Sequence, residues 1–391
     1  MKKYLYMFMI LAVAGCEEVD HEGEWTREQP GQGVVQMEDV ARLLTAIDIG
    51  HEQITEVHDA VSSSSSNGYD EEYMMKDLFS SPGAGVGDRE GMSRTKISEK
   101  TYSRPLRDLI SEYLGKTKAA TSAEEYIESL SASGLQIYWP FSEEYDGFSE
   151  PVITFDPGDG SEANTGFRID RDSKGVKSVE EIIIDEDYAR AHPVWVINRN
   201  DDSGYQSLEM LRRNDPDWGT GGGTITVKAS EKKLRTLILK DFIMHRNYDT
   251  WFAGGSEFFV KIGALDDFTA STEAELLIYQ PLITDFMITV KRSQRGKPVP
   301  FNAVLISNWT SQLENCAFMI TEDDGGTRTS WKTEAEVKIK SKTYGVNVNL
   351  PYNSRDDIVW RGHLAAPFLE KYSNVPSRFG DIEITFEILE K

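Results

Sequence analysis

The sequence predicts an α+β protein that is mainly β, in which a small helical N-terminal region precedes a β-rich middle region and a C-terminal antiparallel β-sandwich. Two observations support this order. Before Gly134, apolar residues recur three or four positions apart, which is the period of an amphipathic helix. After Gly134, short apolar and β-branched runs are separated by glycine-rich or acidic turns, as in antiparallel folds.

The first residues have the pattern of an export signal. Lys2 and Lys3 precede the apolar stretch 4–14, which is too short to span a bilayer. The residues Val13-Ala14-Gly15-Cys16 resemble the bacterial lipobox, which implies that Cys16 is lipidated and that the signal peptide, residues 1–15, is removed. We therefore expect an exported protein that is attached to a membrane through the lipid on Cys16 alone.

The segment after Cys16 is acidic and then polar, without an apolar period as far as Gln36. Its first acidic residues are Glu17, Glu18, Asp20, Glu22 and Glu24. This start resembles the surface-export signal of Bacteroidota-type lipoproteins, which implies a location on the outer membrane, exposed at the cell surface. A flexible acidic tether over residues 16–36 explains the same composition, and both interpretations stay open.

Residues 37–133 are predicted to form short helices. Apolar residues fall at helical spacing over 40–47, 54–61, 73–79 and 106–114. A serine run follows the second of these segments and Pro82 follows the third, which gives each a predicted end. A fifth helix is predicted to begin near Ser122, because Glu125 three residues later completes a capping-box pattern.

Strands are predicted in two regions after Gly134. The mixed β-rich middle region, residues 134–223, has them at 135–139, 152–155, 167–169, 179–184 and 194–197. The C-terminal region, residues 224–391, has them at 224–227, 236–239, 258–262, 276–279, 286–291, 304–306, 317–321, 337–340, 346–349 and 382–386. The spacing of the C-terminal runs favours a sandwich of antiparallel sheets.

The chain has 391 residues and a formal net charge of −23. This length suffices for about two or three hydrophobic cores. A surface this acidic repels nucleic acid and anionic lipid, so neither is expected as a direct partner, whereas cations are attracted. Apart from Cys16 the sequence has one cysteine, Cys316, which lies in an apolar run and is expected to be a small buried hydrophobe.

No recognisable catalytic motif occurs in the sequence. His51-Glu52 begins like the helix of a zinc protease, but Thr55 stands where the second histidine should be. There is no Gly-x-Ser-x-Gly, and the glycine-rich run 219–223 lacks the lysine of a phosphate-binding loop. Enzymatic activity therefore stays open, with a non-enzymatic role favoured.

One string resembles an EF-hand calcium loop and must be weighed against a simple turn. Asp170, Asp172, Gly175 and Glu181 occupy positions 1, 3, 6 and 12 of such a loop. Lys174 stands at position 5, where an oxygen ligand is needed, and the flanks predict strands. We therefore expect a polar β-hairpin turn.

Three segments of the C-terminal region resemble a C2 domain. The first is 237–262, in which the predicted strand 237–239 leads through Asp249 to the segment 251–262, and the others are 318–326 and 356–362. In the first, Glu257 stands at the aspartate of that family's Gly-x-Ser-Asp-Pro-Tyr-Val element, and the proline and tyrosine are missing. The second carries the acidic run Glu322-Asp323-Asp324, and the third carries Asp356-Asp357-Ile358. The resemblance implies that the C-terminal region is an antiparallel C2-like β-sandwich.

The same resemblance implies a set of metal ligands. In C2 domains, loops at one end of the sandwich gather carboxylates around calcium, a cation that takes six to eight oxygen ligands. The matching positions are Asp249, Glu257, Glu322 and Asp324, with Asp357 next. Calcium is therefore the expected cofactor. The alternative, that these acidic loops are simply solvated, stays open, because runs of charge usually are.

The middle region resembles uncharacterised bacterial surface proteins. The residues that carry this resemblance are 135–141, 151–156, 185–188 and 193–198. It implies that the helical, middle and C-terminal parts form one recurring architecture, and it transfers no activity.

Together these features lead us to expect a surface-anchored lipoprotein that acts as a calcium-assisted binding or adhesion module for an extracellular glycan or protein. Trp218 and Trp251 lie in loop-like sequence and are candidate stacking faces, although burial is the commoner use of tryptophan. Two alternatives stay open. One is a secreted, glycosidase-like hydrolase that uses a pair of carboxylates, and the other is a structural accessory of a surface complex.

Overall fold

The predicted fold class is confirmed by a computed structural model, which describes residues 35–80, 102–200, 205–214 and 234–390. The described part of the chain is α+β and mainly β, because 41% of its residues are in strands and 26% are in helices. The predicted signal peptide, Cys16, most of the predicted tether, Trp218 and the predicted strand 224–227 lie outside the described residues.

The longer helices lie in the N-terminal region and bury one face each. In the first, Val40 and Leu44 are fully buried, whereas Glu38 and Arg42 form an ion pair on the exposed face. The helices are α1 (Met37–Ala46), α2 (His51–Ser66), α3 (Met75–Leu78), α4 (Leu106–Thr117), α5 (Ala120–Ser131), α6 (Glu186–Ala191), α7 (Leu208–Asn214), α8 (Glu273–Leu276) and α9 (Ala366–Lys371). None of the helices in the described ranges is long and apolar enough to cross a membrane.

Strands dominate from Leu135 onward, as the change of sequence pattern predicted. The strands are β1 (Glu72–Met74), β2 (Leu135–Tyr138), β3 (Val152–Phe155), β4 (Ala163–Arg171), β5 (Lys177–Asp185), β6 (Val194–Arg199), β7 (Arg235–Met244), β8 (Ser256–Ala264), β9 (Leu282–Val290), β10 (Val299–Ile306), β11 (Leu313–Glu322), β12 (Arg328–Ile339), β13 (Lys342–Asn353), β14 (Asp357–Ala365), β15 (Pro376–Phe379) and β16 (Ile382–Glu390).

The first sheet joins the helical and middle regions. Its strand order is β1-β2-β6-β3-β4-β5, and β3 runs parallel to β6. Strand β6 is buried on both faces, since Trp195 packs with the helices while Val196 packs with Trp251 and Phe252. The loop between β7 and β8 is therefore anchored on the face of this sheet that the helices do not cover.

The C-terminal region is a sandwich of two antiparallel sheets. One has the order β10-β7-β16-β15, and the other has the order β13-β12-β11-β8-β9, with β14 also paired to β11. Phe258 of β8 and Phe318 of β11 pack in the core with Phe242 and Phe386 of the opposite sheet. Cys316 is buried in the same core, which confirms its predicted role.

Three local predictions were wrong. The predicted strand 276–279 instead begins with the last residue of α8 and continues in the turn after it; Thr272 caps this helix by accepting a hydrogen bond from the Glu275 amide. Residues 73–74, predicted as helix, belong to β1 because Glu72–Met74 pairs with β2. No side chain caps α5, which begins at Ala120, so the capping box predicted near Ser122 is absent.

Candidate metal centre

The candidate site lies where β11 ends and β8 begins. Antiparallel pairing sets Glu322, the last residue of β11, opposite Phe258 of β8 and opposite Asp357, the first residue of β14. Asp249 lies in the loop between β7 and β8, just before the anchoring residues Trp251 and Phe252. Strand register and loop anchoring thus bring segments that are distant in sequence to one end of the sandwich.

Three of the predicted calcium ligands meet at this end. One carboxylate oxygen from each of Asp249, Glu322 and Asp324 lies within 4.8 Å of the other two. Glu322 is buried, Asp249 is partly buried and Asp324 is exposed, so the group extends from the interior to solvent. A hydrogen bond joins the side chains of Asp249 and Glu322, which requires a proton on one of them. We call these three residues the carboxylate cluster.

Crowding and burial disturb the protonation of the carboxylate cluster. Burial raises the pKa of Asp249 to about 6; the hydrogen bond with Glu322 opposes this rise and the charge of Asp324 adds to it. The pKa of Asp324 is raised as well, first by burial and then by the charges of Asp357 and Asp323. A divalent cation would reverse this balance, because it favours the ionised form of every carboxylate that binds it.

The loop that carries Asp249 is held by its backbone. The buried guanidinium of Arg292 donates hydrogen bonds from Nη1 to the carbonyl oxygens of Asp249 at 3.2 Å and Gly254 at 3.1 Å. The Asp70 carboxylate accepts one from the Gly255 amide at 2.7 Å. These contacts leave the Asp249 carboxylate available to the cluster. Sequence reasoning missed both Asp70 and Arg292, since they lie in segments remote from the loop and carry no recognisable motif.

Trp251 and Gly254 fix the same loop from within. Trp251 is fully buried, and its Nε1 donates a hydrogen bond to the carbonyl oxygen of Glu162 at 2.9 Å. It is therefore a core anchor and not an exposed stacking face. Gly254 has a φ of 148°, and a Cβ at this position would approach Oδ2 of Asp70 to 2.9 Å. Only glycine fits this turn without displacing the contact between Asp70 and the loop.

The other two predicted ligands do not belong to the carboxylate cluster. Glu257 precedes Phe258, and because side chains alternate across a strand it lies on the opposite face of the sheet from Glu322. Asp357 is opposite Glu322, but its exposed carboxylate forms an ion pair with Arg246 at 3.6 Å. The acidic strand ends were thus recognisable from sequence, whereas the face on which each carboxylate lies was not.

An open pocket of about 450 Å³ adjoins Asp249. Its walls include Arg246 and Arg295 from the C-terminal region and Asp185 and Asp187 from the start of α6. A ligand in this pocket would reach a cation bound at the carboxylate cluster from one side, while Asp324 leaves the other side open to solvent.

The EF-hand-like string is a hairpin turn, as predicted. It joins β4 to β5, which pair antiparallel along their length. The Asp172 carboxylate accepts hydrogen bonds from the amides of Lys174 and Val176, each at 2.8 Å, and so closes the turn. In the described part of the chain, the carboxylate cluster is the only group of three or more close side chains with metal-ligating atoms.

Comparison with known proteins assigns no family to this chain. No protein-family model matches it, and neither a curated protein nor a solved structure does so. The resemblances to C2 domains and to bacterial surface lipoproteins therefore stay predictions.

Proposed function

We propose that this protein is a lipid-anchored lipoprotein of the outer-membrane surface that acts as a binding or adhesion module, with a calcium ion held by the carboxylate cluster. Cys16 would carry the lipid, and the ligand would be an extracellular glycan or protein. Extracellular modules bind calcium with dissociation constants of about 10⁻⁴ to 10⁻³ M. A partly exposed site with three protein carboxylates suits this range.

The observation that carries the proposal is the meeting of Asp249 with Glu322 and Asp324 within 4.8 Å. The resemblance to C2 domains nominated these residues from two separate segments of sequence. Carboxylate oxygens are the ligands that calcium prefers, and its flexible coordination tolerates an irregular group completed by water or backbone carbonyls. The hydrogen bond between Asp249 and Glu322 requires a proton on one of them. It therefore indicates that two adjacent negative charges are unfavourable in the metal-free site.

The spacing of these carboxylates speaks against the hydrolase alternative at this site. A glycosidase separates its two catalytic carboxyl groups by roughly 5 to 9 Å, so that they act on different sides of the scissile bond. In the carboxylate cluster the hydrogen bond between Asp249 and Glu322 leaves no room for a sugar between these two carboxyl groups. This arrangement favours a shared cation.

Calorimetric titration of calcium chloride into the full-length chain tests the site. The protein would be purified in a polyoxyethylene detergent and stripped of metal with a chelator. We expect saturable binding and a higher melting temperature with calcium, because an ion that binds only the folded state stabilises it. Asp324→Asn should weaken binding about tenfold, since it removes one charged ligand at an exposed position.

Glu124→Gln is the matched control, because Glu124 is an exposed carboxylate on α5. This variant should bind calcium as the unchanged chain does. Absence of saturable heat together with an unchanged melting temperature would refute the calcium site. If Asp324→Asn and Glu124→Gln weakened calcium binding equally, the general negative charge of the surface would explain the binding, and the calcium site would be refuted as well.

A further inference from the structure

A second pocket, of about 470 Å³, opens on the middle region. Its walls come from the segment that follows β2, from β4, and from α6 with the residues just after it. None of the five predicted calcium ligands is among its lining residues. The pocket is therefore distinct from the carboxylate cluster.

Aromatic rings form part of the pocket wall. Tyr145 packs edge-on against the buried Trp139, with ring centroids 4.9 Å apart. Tyr188 lies against His192 in the same way, at 4.4 Å. Both tyrosines are partly exposed. An aromatic face backed by a packed core offers a firm apolar surface, and the C–H face of a sugar ring is the complementary shape.

The hydroxyl of Tyr145 is less exposed than its ring. It is buried, and it has no hydrogen-bond partner among the residues that the structure describes. Because this oxygen is buried, the ring of Tyr145 and not its hydroxyl is the part of the side chain that lines the pocket.

The charged part of the wall is close to neutral. Arg168, Arg171 and Arg190 line the pocket together with four carboxylates. Each arginine already has an acidic partner: Arg168 pairs with Glu180, Arg171 with Glu150 at 3.1 Å and Arg190 with Glu186 at 2.9 Å. Such a wall does not select a strongly charged ligand. The guanidinium and carboxylate groups of this wall are planar, and such groups can bind two neighbouring hydroxyl groups of a ligand.

Phe148 lies in the segment between the lining residues Asp146 and Ser149. Its side chain is 86% exposed, yet its backbone is fixed. Asp146 accepts hydrogen bonds from the amides of Phe148 at 2.8 Å and Ser149 at 2.9 Å, and from the Ser149 hydroxyl at 2.6 Å. A loop that holds an exposed ring in place provides a preorganised stacking face.

Phe141, on the floor of the pocket, gives an independent sign of function. It has a φ of 59°, which is unusual for a residue with a bulky side chain. The guanidinium of Arg190 lies 4.6 Å from its ring centroid and covers it. Backbone strain of this kind is kept only where the surrounding structure imposes it, and it concentrates at ligand-binding sites.

We propose that this pocket, which we call the Tyr145 pocket, binds one sugar unit of a neutral glycan. Phe148 and Tyr145 would contact the C–H faces, and the paired arginines and carboxylates would bind the hydroxyls. The inference names a ligand class for the binding module proposed above, and it does not require the calcium site.

Native electrophoresis of the full-length chain through gels that contain a soluble polysaccharide tests the pocket. The panel would be mixed-linkage β-glucan, xylan, galactomannan and amylopectin, with gelatin as a polypeptide gel. The detergent must carry a polyoxyethylene headgroup, because a sugar headgroup would compete. We expect retardation by at least one polysaccharide, with affinity about tenfold weaker in Phe148→Ala and in Arg168→Gln, which removes a guanidinium that lines the pocket.

Leu277→Ala is the matched control, since Leu277 is 78% exposed and lies outside the pocket. Its retardation should equal that of the unchanged chain. Neither Phe148→Ala nor Arg168→Gln should lower the melting temperature appreciably, because the Phe148 side chain is 86% exposed and that of Arg168 is 45% exposed.

Three outcomes would overturn the Tyr145 pocket: no retardation by any polysaccharide, retardation by gelatin alone, or retardation that both pocket variants retain. A chelator separates this failure from that of the proposed calcium site. Retardation that persists in chelator and is weakened by the pocket variants supports the pocket even if calcium does not bind. Retardation that chelator abolishes and Phe148→Ala preserves places recognition at the carboxylate cluster and refutes the pocket.

Discussion

Neighbouring carboxylates lie on two faces of one sheet, and their surroundings differ between these faces. Glu322 and Asp324 belong to the carboxylate cluster, whereas Asp323, between them, lies on the face that carries Lys261. Lys261 is only 3% exposed, and its Nζ donates a hydrogen bond to the hydroxyl of Thr321 at 3.2 Å. On that face the protein supplies its own cation.

The charge balance on the Lys261 face is internal. Burial lowers the pKa of Lys261, while the carboxylates of Asp285, Asp356 and Asp323 oppose this and favour its charged form. In the carboxylate cluster, by contrast, two carboxyl groups hydrogen-bond to each other. A run of three acidic residues thus divides between a structural ion network and a site suited to an external cation, and alternation along the strand makes the division.

The largest expected effect concerns Lys261→Met. Removal of a buried cation leaves the carboxylates around it uncompensated, so the free energy of unfolding should fall by about 3 to 5 kcal/mol at pH 7. Urea unfolding would measure it, with the exposed Lys332→Met as control. The remaining folded protein should keep its calcium affinity. A fall below about 1 kcal/mol would mean that this network is no more than a surface salt bridge.

Asp249→Asn should stabilise the metal-free protein, whereas Lys261→Met should destabilise it. The amide resembles the protonated acid that the site favours, so the free energy of unfolding at pH 7.5 should rise by roughly 2 kcal/mol. Calcium binding should be lost, since a charged ligand is gone. Urea unfolding in chelator, with calorimetry alongside, measures both. Destabilisation of the metal-free variant would show that the Asp249 carboxylate is held by contacts that need its charge.

The pH dependence follows from the same group. Because the pKa of Asp249 is raised from 3.8 to about 6, its contribution to stability is complete below pH 4 and is lost as the pH rises through 6. The melting temperature of the metal-free chain should therefore fall between pH 5 and 7 by a few degrees more than that of Asp249→Asn. Parallel curves for the two proteins would contradict the raised pKa.

The smallest expected effect is that of Glu257→Gln. Its side chain lies on the face opposite to Glu322, so calcium affinity should change less than about twofold, against about tenfold for Asp324→Asn. Calorimetry of the two variants side by side makes this comparison. A tenfold loss in Glu257→Gln would mean that the sheet register near β8 changes when calcium binds.

Local patterns in the sequence were sufficient to predict the fold class and most strands. Helical spacing identified α1 and α4, and apolar runs identified β3, β6 and β8, because these elements bury a regular set of side chains. The segment 276–279 was predicted wrongly because its apolar residues Leu277 and Ile278 are exposed after the short helix α8. A pattern of apolar residues cannot reveal an element whose apolar residues face solvent.

The candidate sites were predictable only in part. Asp249, Glu322 and Asp324 could be nominated because the segments that carry them resemble a C2 domain. The position of Glu257 depends on the register between β8 and β11, which no local pattern fixes. The Tyr145 pocket draws on the segment after β2, on β4 and on α6, and its constituents come together only in the folded sheet.

The carboxylate cluster also closes a long loop of chain. Asp249 and Glu322 stand on either side of the segment that carries β8, β9 and β10. A cation bound to both would act as a reversible cross-link, which restricts the unfolded chain much as a disulfide does. Cys316, the one cysteine among the described residues, is unpaired there, so no disulfide within them does this. Resistance to mechanical pulling and to proteases would then increase with the concentration of free calcium around the chain.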